Sequence, residues 1–307
     1  MTKLEWCRAH APDAIRNLPD DELLTLMESA YNSEYIDKNI SLHDMESVEY
    51  NPINDMMDYM VLTLVREFGD KLAFKGGYML TKLIPESARQ TTDIDFSIQT
   101  SALYQQLIQT MRAIGDHFIF ESLISHYNIK EEIRGFMSGG MDMYDDSGAK
   151  VLGIDVGWHD ISFGTQLTSI SVGTVRAFSV ERMLSDKITA ILSRKKFRRP
   201  KDIYDLYCIT NSMSFNAILV NEYIVKRTNG AGADWKNYPF SDDVLREYGK
   251  AYNSLKVHSI FKDRSVRKPD FDAVMCRFDT VCDKLLHPSF EFIWDPKAGV
   301  FINEHIT

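Results

Sequence analysis

Two aspartates separated by one residue are the first feature of this sequence that could do chemistry. Asp93 and Asp95 lie in the segment TDIDFSI (residues 92–98). Alternate residues of an extended chain project to the same side, so both carboxylates share one strand face while Ile94 and Phe96 share the other. Neighbouring carboxylates repel each other unless a cation lies between them, and hard oxygen ligands suit Mg²⁺ together with substrate phosphates. The pattern therefore predicts a magnesium site.

A glycine pair upstream of the aspartates points to phosphate binding. Gly76 and Gly77 follow the apolar run 72–74 and precede a short helical pattern that ends at Pro85. Glycine takes turn geometries that other residues avoid. The first backbone amides of a helix attract phosphate oxygens, because these amides are unpaired and lie at the positive end of the helix dipole. A phosphate-binding helix start next to two carboxylates that bind Mg²⁺ is the smallest set of groups that nucleotidyl or phosphoryl transfer requires.

A third acid comes from the strand pattern of residues 151–159. Asp155 lies on the face opposite the apolar residues, with Gly153 and Gly157 two positions away on either side. The glycines leave room above the carboxylate, as a metal and a triphosphate require, although a sparsely packed edge strand has the same pattern. His159 follows the strand, where a histidine is more often a surface or hydrogen-bonded residue than a ligand.

Two cations fall on the apolar stripe of a predicted helix that begins after residue 179. Lys187 and Arg194 are seven residues apart and so lie on one face of that helix. Cations on a core-facing stripe are costly unless something negative meets them. Asp202 or Asp205 of the next predicted helix could supply buried salt bridges, or the cations could face a triphosphate or an RNA backbone. The apolar stripe is formed by Val180, Met183, Leu184, Ile188, Ile191 and Leu192.

These segments resemble, in the same order, the motifs of the AbiEii-type nucleotidyltransferases. That family supplies toxins of type IV toxin–antitoxin and abortive-infection systems and belongs to the polymerase-β-like superfamily. The run Lys75-Gly76-Gly77 and the run Arg89-x-Thr91-x-Asp93-x-Asp95 look like its opening motif, and Asp155 matches its third acid. Three motif groups spread over roughly residues 70–210 are more specific than any one of them.

The third motif group lies at residues 186–206, where the family carries D-K-L…R and R-D-x-x-D-L. Here Ile188 replaces the leucine, which is a mild change, and Lys201 replaces the arginine, which removes bidentate donor geometry. After Asn211 the resemblance fades.

The resemblance implies an α+β fold with a polymerase-β-like core, a mixed sheet of about four to six strands flanked by helices. It places N-terminal helices and the nucleotidyltransferase domain in residues 1–178 and a helical C-terminal domain in residues 179–307.

The resemblance also implies two-metal nucleotidyl transfer from an NTP. Asp93, Asp95 and Asp155 would bind two Mg²⁺ ions and act in catalysis together with Lys187. The acceptor would be an RNA end, tRNA foremost, or a protein hydroxyl, and a cognate antitoxin is an expected partner. The predicted nucleotide-binding residues are Lys75, Gly76, Gly77, Arg89, Thr91, Arg194 and Asp202.

Two other function classes use some of the same residues. A nucleotide-binding module without turnover would keep the glycines and some acids, but a degenerate relative usually loses one of the acids, and here all three are present. A metal-dependent nuclease needs similar carboxylates but has no need of the glycine pair.

Composition limits the partners and the compartment. The chain has 307 residues, is 44% hydrophobic and carries a net charge of −9, so it does not coat nucleic acid non-specifically. Six basic residues in the run 194–201 could still form a local basic groove for RNA. Four cysteines without a C-x-x-C pair and the lack of a long apolar run predict a reduced, cytoplasmic protein that does not bind membranes.

Periodicity and turn residues predict the remaining elements. Helices are expected at residues 20–31, 53–68, 101–114, 242–256 and 269–286. Strand pieces are expected at 118–120, 127–129 and 169–178, and residues 138–141 with 145–148 are expected to form loops or a hairpin. The segment after residue 290 would either pack through Phe292, Trp294 and Phe301 or trail off.

Overall fold

A computed structural model of the chain describes residues 3–11, 16–25, 52–85, 89, 91–131, 138–158, 160–193, 200–228, 238–254, 268–286 and 292–303. Its helices are α1 (Lys3–His10), α2 (Pro52–Phe68), α3 (Gly76–Leu83), α4 (Tyr104–Phe120), α5 (Val180–Leu192), α6 (Pro200–Ser212), α7 (Ala217–Arg227), α8 (Asp242–Asn253) and α9 (Phe271–Leu286). Its strands are β1 (Leu72–Lys75), β2 (Asp93–Ile98), β3 (His126–Glu131), β4 (Ser138–Tyr144), β5 (Lys150–Trp158), β6 (Thr165–Ile170), β7 (Gly173–Phe178), β8 (Phe292–Asp295) and β9 (Val300–Asn303).

A mixed sheet and its helices confirm the predicted α+β class. Within the described ranges the sheet has seven strands in the order β3-β4-β5-β2-β1-β7-β6. The β2–β5 and β1–β7 pairs are parallel, whereas β3–β4, β4–β5 and β6–β7 are antiparallel. The predicted count of four to six strands is too low, because β4 lies where the sequence left loops or a hairpin open, and β6 and β7 lie where one strand was predicted.

The chain divides into two compact units that are each discontinuous in sequence. Residues 1–72 and 92–160 form the first unit, and residues 73–91 and 161–307 form the second. The boundary expected between residues 178 and 179 stays a prediction.

The first unit is built on two long amphipathic helices. Met56, Met60 and Leu64 on α2 are fully or almost fully buried, which confirms the helix predicted at residues 53–68. Helix α4 was predicted to end at residue 114, but it continues through Phe120. The strand predicted at residues 118–120 is therefore wrong, because Phe118 extends the buried helical stripe of α4 and is fully buried.

The sequence left loops or a hairpin open for residues 138–141 with 145–148, and the structure has a hairpin in which residues 138–141 belong to β4 and are paired on both sides. Gly139 and Gly140 are strand residues, and a Cβ atom at Gly140 would lie 2.0 Å from the carbonyl oxygen of Ile154. The turn of the predicted hairpin lies at residues 145–148, between β4 and β5. There Asp145 Oδ1 accepts hydrogen bonds from the amides of Ser147 and Ala149.

The second unit begins its helical part where the sequence indicated. Ser179 caps α5 by accepting a hydrogen bond from the amide of Arg182, and the predicted apolar stripe is buried. The strand expected at 169–178 is a hairpin of β6 and β7, because residues 171–172 form a turn. Helices α6, α8 and α9 confirm the predicted helices of this half.

The C-terminal segment at residues 292–303 is packed against the rest of the second unit. β8 and β9 form a two-stranded hairpin that the sequence did not predict. Trp294 is fully buried, donates its indole N–H to the carbonyl of Thr210 at 2.6 Å and stacks on Phe215 at 5.7 Å between ring centroids.

Several other expectations concern the ends and the covalent state of the chain. Residues 20–25 are helical, and the rest of the helix predicted to reach residue 31 lies outside the described residues. No disulfide joins the four cysteines, of which Cys276 is exposed and the others are buried. Among the described helices, none combines the length and the low polarity that crossing a bilayer requires.

Candidate active site

The acids of the first unit are brought together by the register of β2 and β5. Asp95 pairs directly with Asp155, and Asp93 pairs with Gly153. Directly paired residues of neighbouring strands project to the same sheet face, so all three carboxylates lie on one face, with adjacent backbones about 4.8 Å apart. Ser97 continues this face but is fully buried, and its hydroxyl makes no hydrogen bond to the described residues.

The same face extends across β4 and β3 in two rows. One row runs Lys130–Gly140–Asp155–Asp95, and the next runs Asn128–Asp142–Gly153–Asp93. Each row contains one glycine, and charged side chains meet above both of these glycines.

Two lysines bridge the carboxylates of these rows. Lys130 Nζ lies 2.7 Å from Asp155 Oδ1 and 3.1 Å from Asp142 Oδ1. Lys150 Nζ lies 2.8 Å from Asp93 Oδ1 and 2.8 Å from the same Asp142 oxygen. Asp142 thus links two ammonium groups, and each ammonium group reaches one of the predicted metal ligands.

The lysines and Asp142 stabilise each other's charged forms. Partial burial opposes the charge on Lys130, but hydrogen bonds to Asp155 and Asp142 outweigh it and raise its pKa. The pKa of Lys150 is raised in the same way, against burial, by Asp142 and Asp93. Burial alone would raise the pKa of Asp142, yet hydrogen bonds from Lys150 and Lys130 lower it.

Gly153, one of the two glycines expected to leave room for a metal, is crossed by the side chain of Lys150, and Gly140 of β4 is crossed by that of Lys130. A Cβ atom at Gly153 would meet Lys150 Nζ and Asp93 Oδ1, each at 2.6 Å, and one at Gly140 would meet Lys130 Cε at 3.0 Å. In the described part of the chain, no three His, Cys, Asp or Glu side chains form a ready group around a metal position. Asp93 and Asp155 are nevertheless open to solvent, with side chains 33% and 51% exposed.

In the second unit, the glycine pair begins helix α3. Gly76 has a φ of +72°, a conformation that side chains disfavour, and Lys75 at the cap position makes no side-chain capping hydrogen bond. Gly77 is needed for another reason, because a Cβ atom there would lie 2.9 Å from Thr91 Oγ1 and 3.3 Å from Arg89 Nη2. The double glycine and the Arg-x-Thr segment are therefore packed against each other.

Arg89 continues this packing into a buried charge cluster. It binds Asp205 with two parallel hydrogen bonds, from Nε to Oδ1 at 2.8 Å and from Nη2 to Oδ2 at 3.1 Å. Lys187 Nζ donates to Asp205 Oδ2 at 2.7 Å and to Asp202 Oδ1 at 2.8 Å. The Asp205 side chain is only 1% exposed, so these four residues form one buried ion-pair network.

The charges of this network also support each other. Burial would raise the pKa of Asp205, but the adjacent Lys187 and Arg89 cations hold it below its usual value. Burial likewise disfavours the charge on Lys187, and Asp205 and Asp202 outweigh it and raise the pKa of that ammonium group. The sequence left two interpretations of Lys187 open, and the salt bridge to Asp202 and Asp205 is present.

The profile of the family described as "Nucleotidyl transferase AbiEii toxin, Type IV TA system" matches residues 62–276, well over half of the chain. The chain belongs to this AbiEii nucleotidyltransferase toxin family. Its enzyme class is therefore nucleotidyltransferase, and its family is one of type IV toxin–antitoxin toxins, which confirms the resemblance seen in the motifs. The match continues past residue 211, where the motif resemblance fades, and reaches into α9.

Solved structures similar to this AbiEii chain include the following three proteins. MenT4, a nucleotidyltransferase toxin from Mycobacterium tuberculosis H37Rv, shares 16% identity, with 76% of this chain and 83% of that chain covered and a TM-score of 0.46. JHP933 from Helicobacter pylori shares 13% identity over 77% and 93% of the two chains, with a TM-score of 0.43. The antibiotic-resistance factor ANT(2'')-Ia shares 15% identity over 58% and 92%, with a TM-score of 0.42.

Comparison of the sequence with curated proteins gives no significant match. The assignment to the AbiEii family therefore rests on the sequence profile.

The structure brings the predicted residues of this AbiEii chain together in two groups. Asp93, Asp95 and Asp155 share a sheet face of the first unit. The second unit joins five predicted residues through packing or hydrogen bonds: Gly77, Thr91, Arg89, Lys187 and Asp202. Lys75 lies in the same unit with its Nζ 5.5 Å from the centroid of the Phe178 ring. Arg194 and His159 lie outside the described residues.

Four charged residues of these groups were not among the predicted site residues. The sequence indicates Asp205 only as a salt-bridge partner, and it does not single out Lys130, Asp142 or Lys150. A signal for Asp142 was present, because it alternates with buried Met141 and Met143 and so shares a strand face with Gly140. Nothing in the sequence indicated which neighbouring strands would pair with that face.

Proposed function

We propose that this chain transfers a nucleoside monophosphate from an NTP to a hydroxyl at an RNA end, with tRNA as the first acceptor to test, and that the reaction requires Mg²⁺. The observation that carries this proposal is the register that sets Asp95 opposite Asp155 with Asp93 on the same face. Three carboxylates on one open face are what a nucleotidyl transfer site needs for its metal ions.

The donor chemistry of this face fits two Mg²⁺ ions. Asp93 and Asp155 are partly exposed and already bind cationic groups, so their oxygens are available to a cation. Mg²⁺ usually takes only one or two carboxylates and completes its shell with water and substrate phosphates, so a closed cage of three side chains is not required. When bound, the ions would lower the pKa of the attacking hydroxyl and neutralise the leaving pyrophosphate.

The three acids would have different roles in metal binding and proton transfer. Asp93 and Asp95 would hold the ions, and Asp155 would both hold an ion and accept the proton of the acceptor hydroxyl. The proton acceptor must lie within hydrogen-bond reach of that hydroxyl, and the 51% exposure of the Asp155 side chain leaves it accessible.

The triphosphate would be bound by the residues of the second unit. The backbone N–H groups of Gly76 and Gly77 at the start of α3 would donate hydrogen bonds to phosphate oxygens, and Lys75 would add a positive charge. Lys187 has three N–H donors, of which Asp202 and Asp205 take two. Its third donor is available for a phosphate oxygen, so a structural and a catalytic role for Lys187 are compatible. Arg89, Thr91, Asp202 and Arg194 complete the proposed nucleotide site.

Incubation with each α-labelled NTP, Mg²⁺ and total RNA tests the proposal. We expect label in RNA, its loss with EDTA and its loss in Asp93→Ala. Asp146→Ala removes an exposed acid from the β4–β5 turn of the same unit and should leave the activity unchanged. RNA shortening would indicate a nuclease, saturable NTP binding alone a module without turnover, and full transfer by Asp93→Ala would contradict the assigned site.

We also propose that a cognate antitoxin opposes this activity, as the family's type IV toxin–antitoxin character suggests. Induced expression of the wild-type chain in a bacterial host should slow growth, whereas Asp93→Ala expressed to the same level should not. Equal toxicity of the two proteins would show that growth arrest does not depend on nucleotidyl transfer.

A further inference from the structure

The open acidic face carries two lysines that the proposed transfer reaction does not use. Lys130 and Lys150 each contact two carboxylates, and in each case one of the two is a proposed metal ligand. Both ammonium groups therefore lie in positions where a metal ion would meet the same oxygens.

The arrangement is built into the sheet and is not a chance contact of flexible surface side chains. Lys130 starts on β3 and reaches Asp155 on β5 by crossing Gly140 of the intervening strand β4. Lys150 reaches Asp93 across Gly153, where any Cβ atom would collide with its ammonium group. Glycine at these two positions is what lets the lysines lie against the sheet.

Asp142, on β4, holds both lysines in place. One oxygen of Asp142 accepts hydrogen bonds from both Lys130 and Lys150, and its side chain is only 19% exposed. Each lysine therefore has one contact to an acid that is not a proposed metal ligand and one contact to an acid that is.

Charge balance explains why such lysines are needed. Four carboxylates on one face repel one another when no metal is bound, and the two ammonium groups offset half of that charge. A divalent cation on Asp93 or Asp155 supplies positive charge at the same oxygens, so it and the ammonium group compete for them.

We propose that Lys130 and Lys150 are exchangeable counter-ions of the catalytic carboxylates. In the metal-free protein the ammonium groups lie on Asp155 and Asp93, and an entering divalent cation takes over those oxygens while the lysines stay tethered to Asp142. The proposal rests on the proposed function in taking Asp93, Asp95 and Asp155 as metal ligands.

Binding of Mn²⁺ to the full chain without nucleotide, followed by the electron paramagnetic resonance signal of the free ion, tests the exchange. Removing a competing ammonium group should tighten binding, so we expect Lys130→Met and Lys150→Met to lower the Kd by roughly two- to fivefold each, the range expected for a partly exposed ion pair. Lys71→Met removes the same charge from an exposed position of the same unit and should leave the Kd unchanged.

Unchanged or weaker Mn²⁺ binding in both lysine variants would overturn the proposal, and so would an equal gain in Lys71→Met. Asp93→Asn should weaken binding, which ties the measured ion to this face. A Kd for Asp93→Asn equal to that of the wild type would also overturn the proposal.

Labelling of lysine amines in the wild-type protein gives a second test that needs no variant to fold. Mass spectrometry after limited amine acylation should show faster modification of Lys130 and Lys150 when Mg²⁺ is added at constant ionic strength, with Lys71 unchanged. Equal labelling with and without Mg²⁺ would overturn the exchange.

Neither measurement uses an NTP or an RNA acceptor, so the two proposals can fail separately. Exchange without nucleotidyl transfer would contradict the proposed function and leave the counter-ion role intact. Transfer activity with unchanged metal affinity in the lysine variants would contradict the counter-ion role and leave the function intact.

Discussion

Asp205 is the residue on which the buried charges of the second unit depend. Its two carboxylate oxygens bind Arg89 and Lys187, which are only 12% and 13% exposed. A buried ion pair adds little over an apolar substitute, but removing one partner leaves the others uncompensated in a poorly solvated place. Through Arg89, Asp205 therefore stabilises the segment that contains Gly76 and Gly77, independently of any role in nucleotide binding.

We predict that Asp205→Asn lowers the free energy of unfolding by about 3–5 kcal/mol, because two buried cations lose their shared anion. Asp202→Asn is the matched control, since Asp202 also binds Lys187 but is 17% exposed, against 1% for Asp205. Urea unfolding of both variants measures the difference. Equal losses in the two variants would contradict the central position of Asp205.

The same network predicts how stability depends on acid. Lys187 and Arg89 overcome the effect of burial and lower the pKa of Asp205 below 3.8, so its contribution is complete above that value and is lost as the pH falls through the lower, folded-state pKa. The stability difference between wild type and Asp205→Asn should therefore stay constant near neutral pH and shrink below pH 3.8. Urea titrations across this range test the sign, and a difference that grows in acid would contradict it.

At the scale of elements, the β3–β4–β5 region depends on how closely its strands approach. Gly140 and Gly139 are neighbours on β4 but face opposite sides of the sheet. The side of Gly140 is closed by the backbone of β5, whereas a Cβ atom at Gly139 would make only ordinary contacts, at 3.4 Å or more. The two positions form a natural matched pair.

Gly140→Ala should destabilise the protein by about 1–3 kcal/mol, because a backbone carbonyl cannot move aside as a side chain can. Gly139→Ala should change the free energy of unfolding by no more than about 0.5 kcal/mol. Chemical denaturation of the two variants under the same conditions compares their free energies of unfolding. A tolerated Gly140→Ala together with a damaging Gly139→Ala would mean that the strand register is wrong.

At the scale of the whole molecule, net charge limits how the proposed RNA acceptor could bind. A chain with a net charge of −9 gains nothing from non-specific attraction to a phosphate backbone, so acceptor binding needs a local cluster of cations. The run 194–201 is the densest such cluster in the sequence. Residues 194–199 lie outside the described part, so its role stays a prediction from sequence.

Replacing Lys195, Lys196 and Arg198 with Gln should weaken acceptor binding and leave NTP affinity unchanged. Loss of three phosphate contacts should flatten the plot of log K against log salt by about 2, because each contact to a single strand contributes about 0.7. The control variant, with Gln at Arg246, Lys250 and Lys297, makes the same change of net charge at exposed positions.

Acceptor binding measured across a salt series compares the two triple variants. A slope unchanged in the first variant would identify the run 194–201 as a solvated connector between helices. Equal flattening in both variants would show that the effect comes from net charge and not from a groove.

The sequence by itself determined the features that depend on local periodicity and on residue types at fixed spacing. Alternation assigned the acidic faces of β2 and β5, helical spacing assigned the buried stripes of α2, α5 and α9, and the order of the motifs indicated the family. These features are local, because a residue's face in a strand or helix follows from its neighbours along the chain. Local patterns predicted a strand wrongly at residues 118–120 and did not choose between loops and a hairpin at residues 138–148, because apolar and glycine-rich runs suit more than one element.

Only the tertiary structure decided which distant charges meet. Strand register brought Lys130, Asp142 and Lys150 onto the face of Asp93 and Asp155, and helix packing gave Lys187 both of its acids together. Alternation along one strand gives its two faces but not its neighbours, and shifting the pairing of β3 or β4 by one residue would move Lys130 or Asp142 to the other face. The candidate ligands were therefore readable from the sequence, while the cations that balance their charge were not.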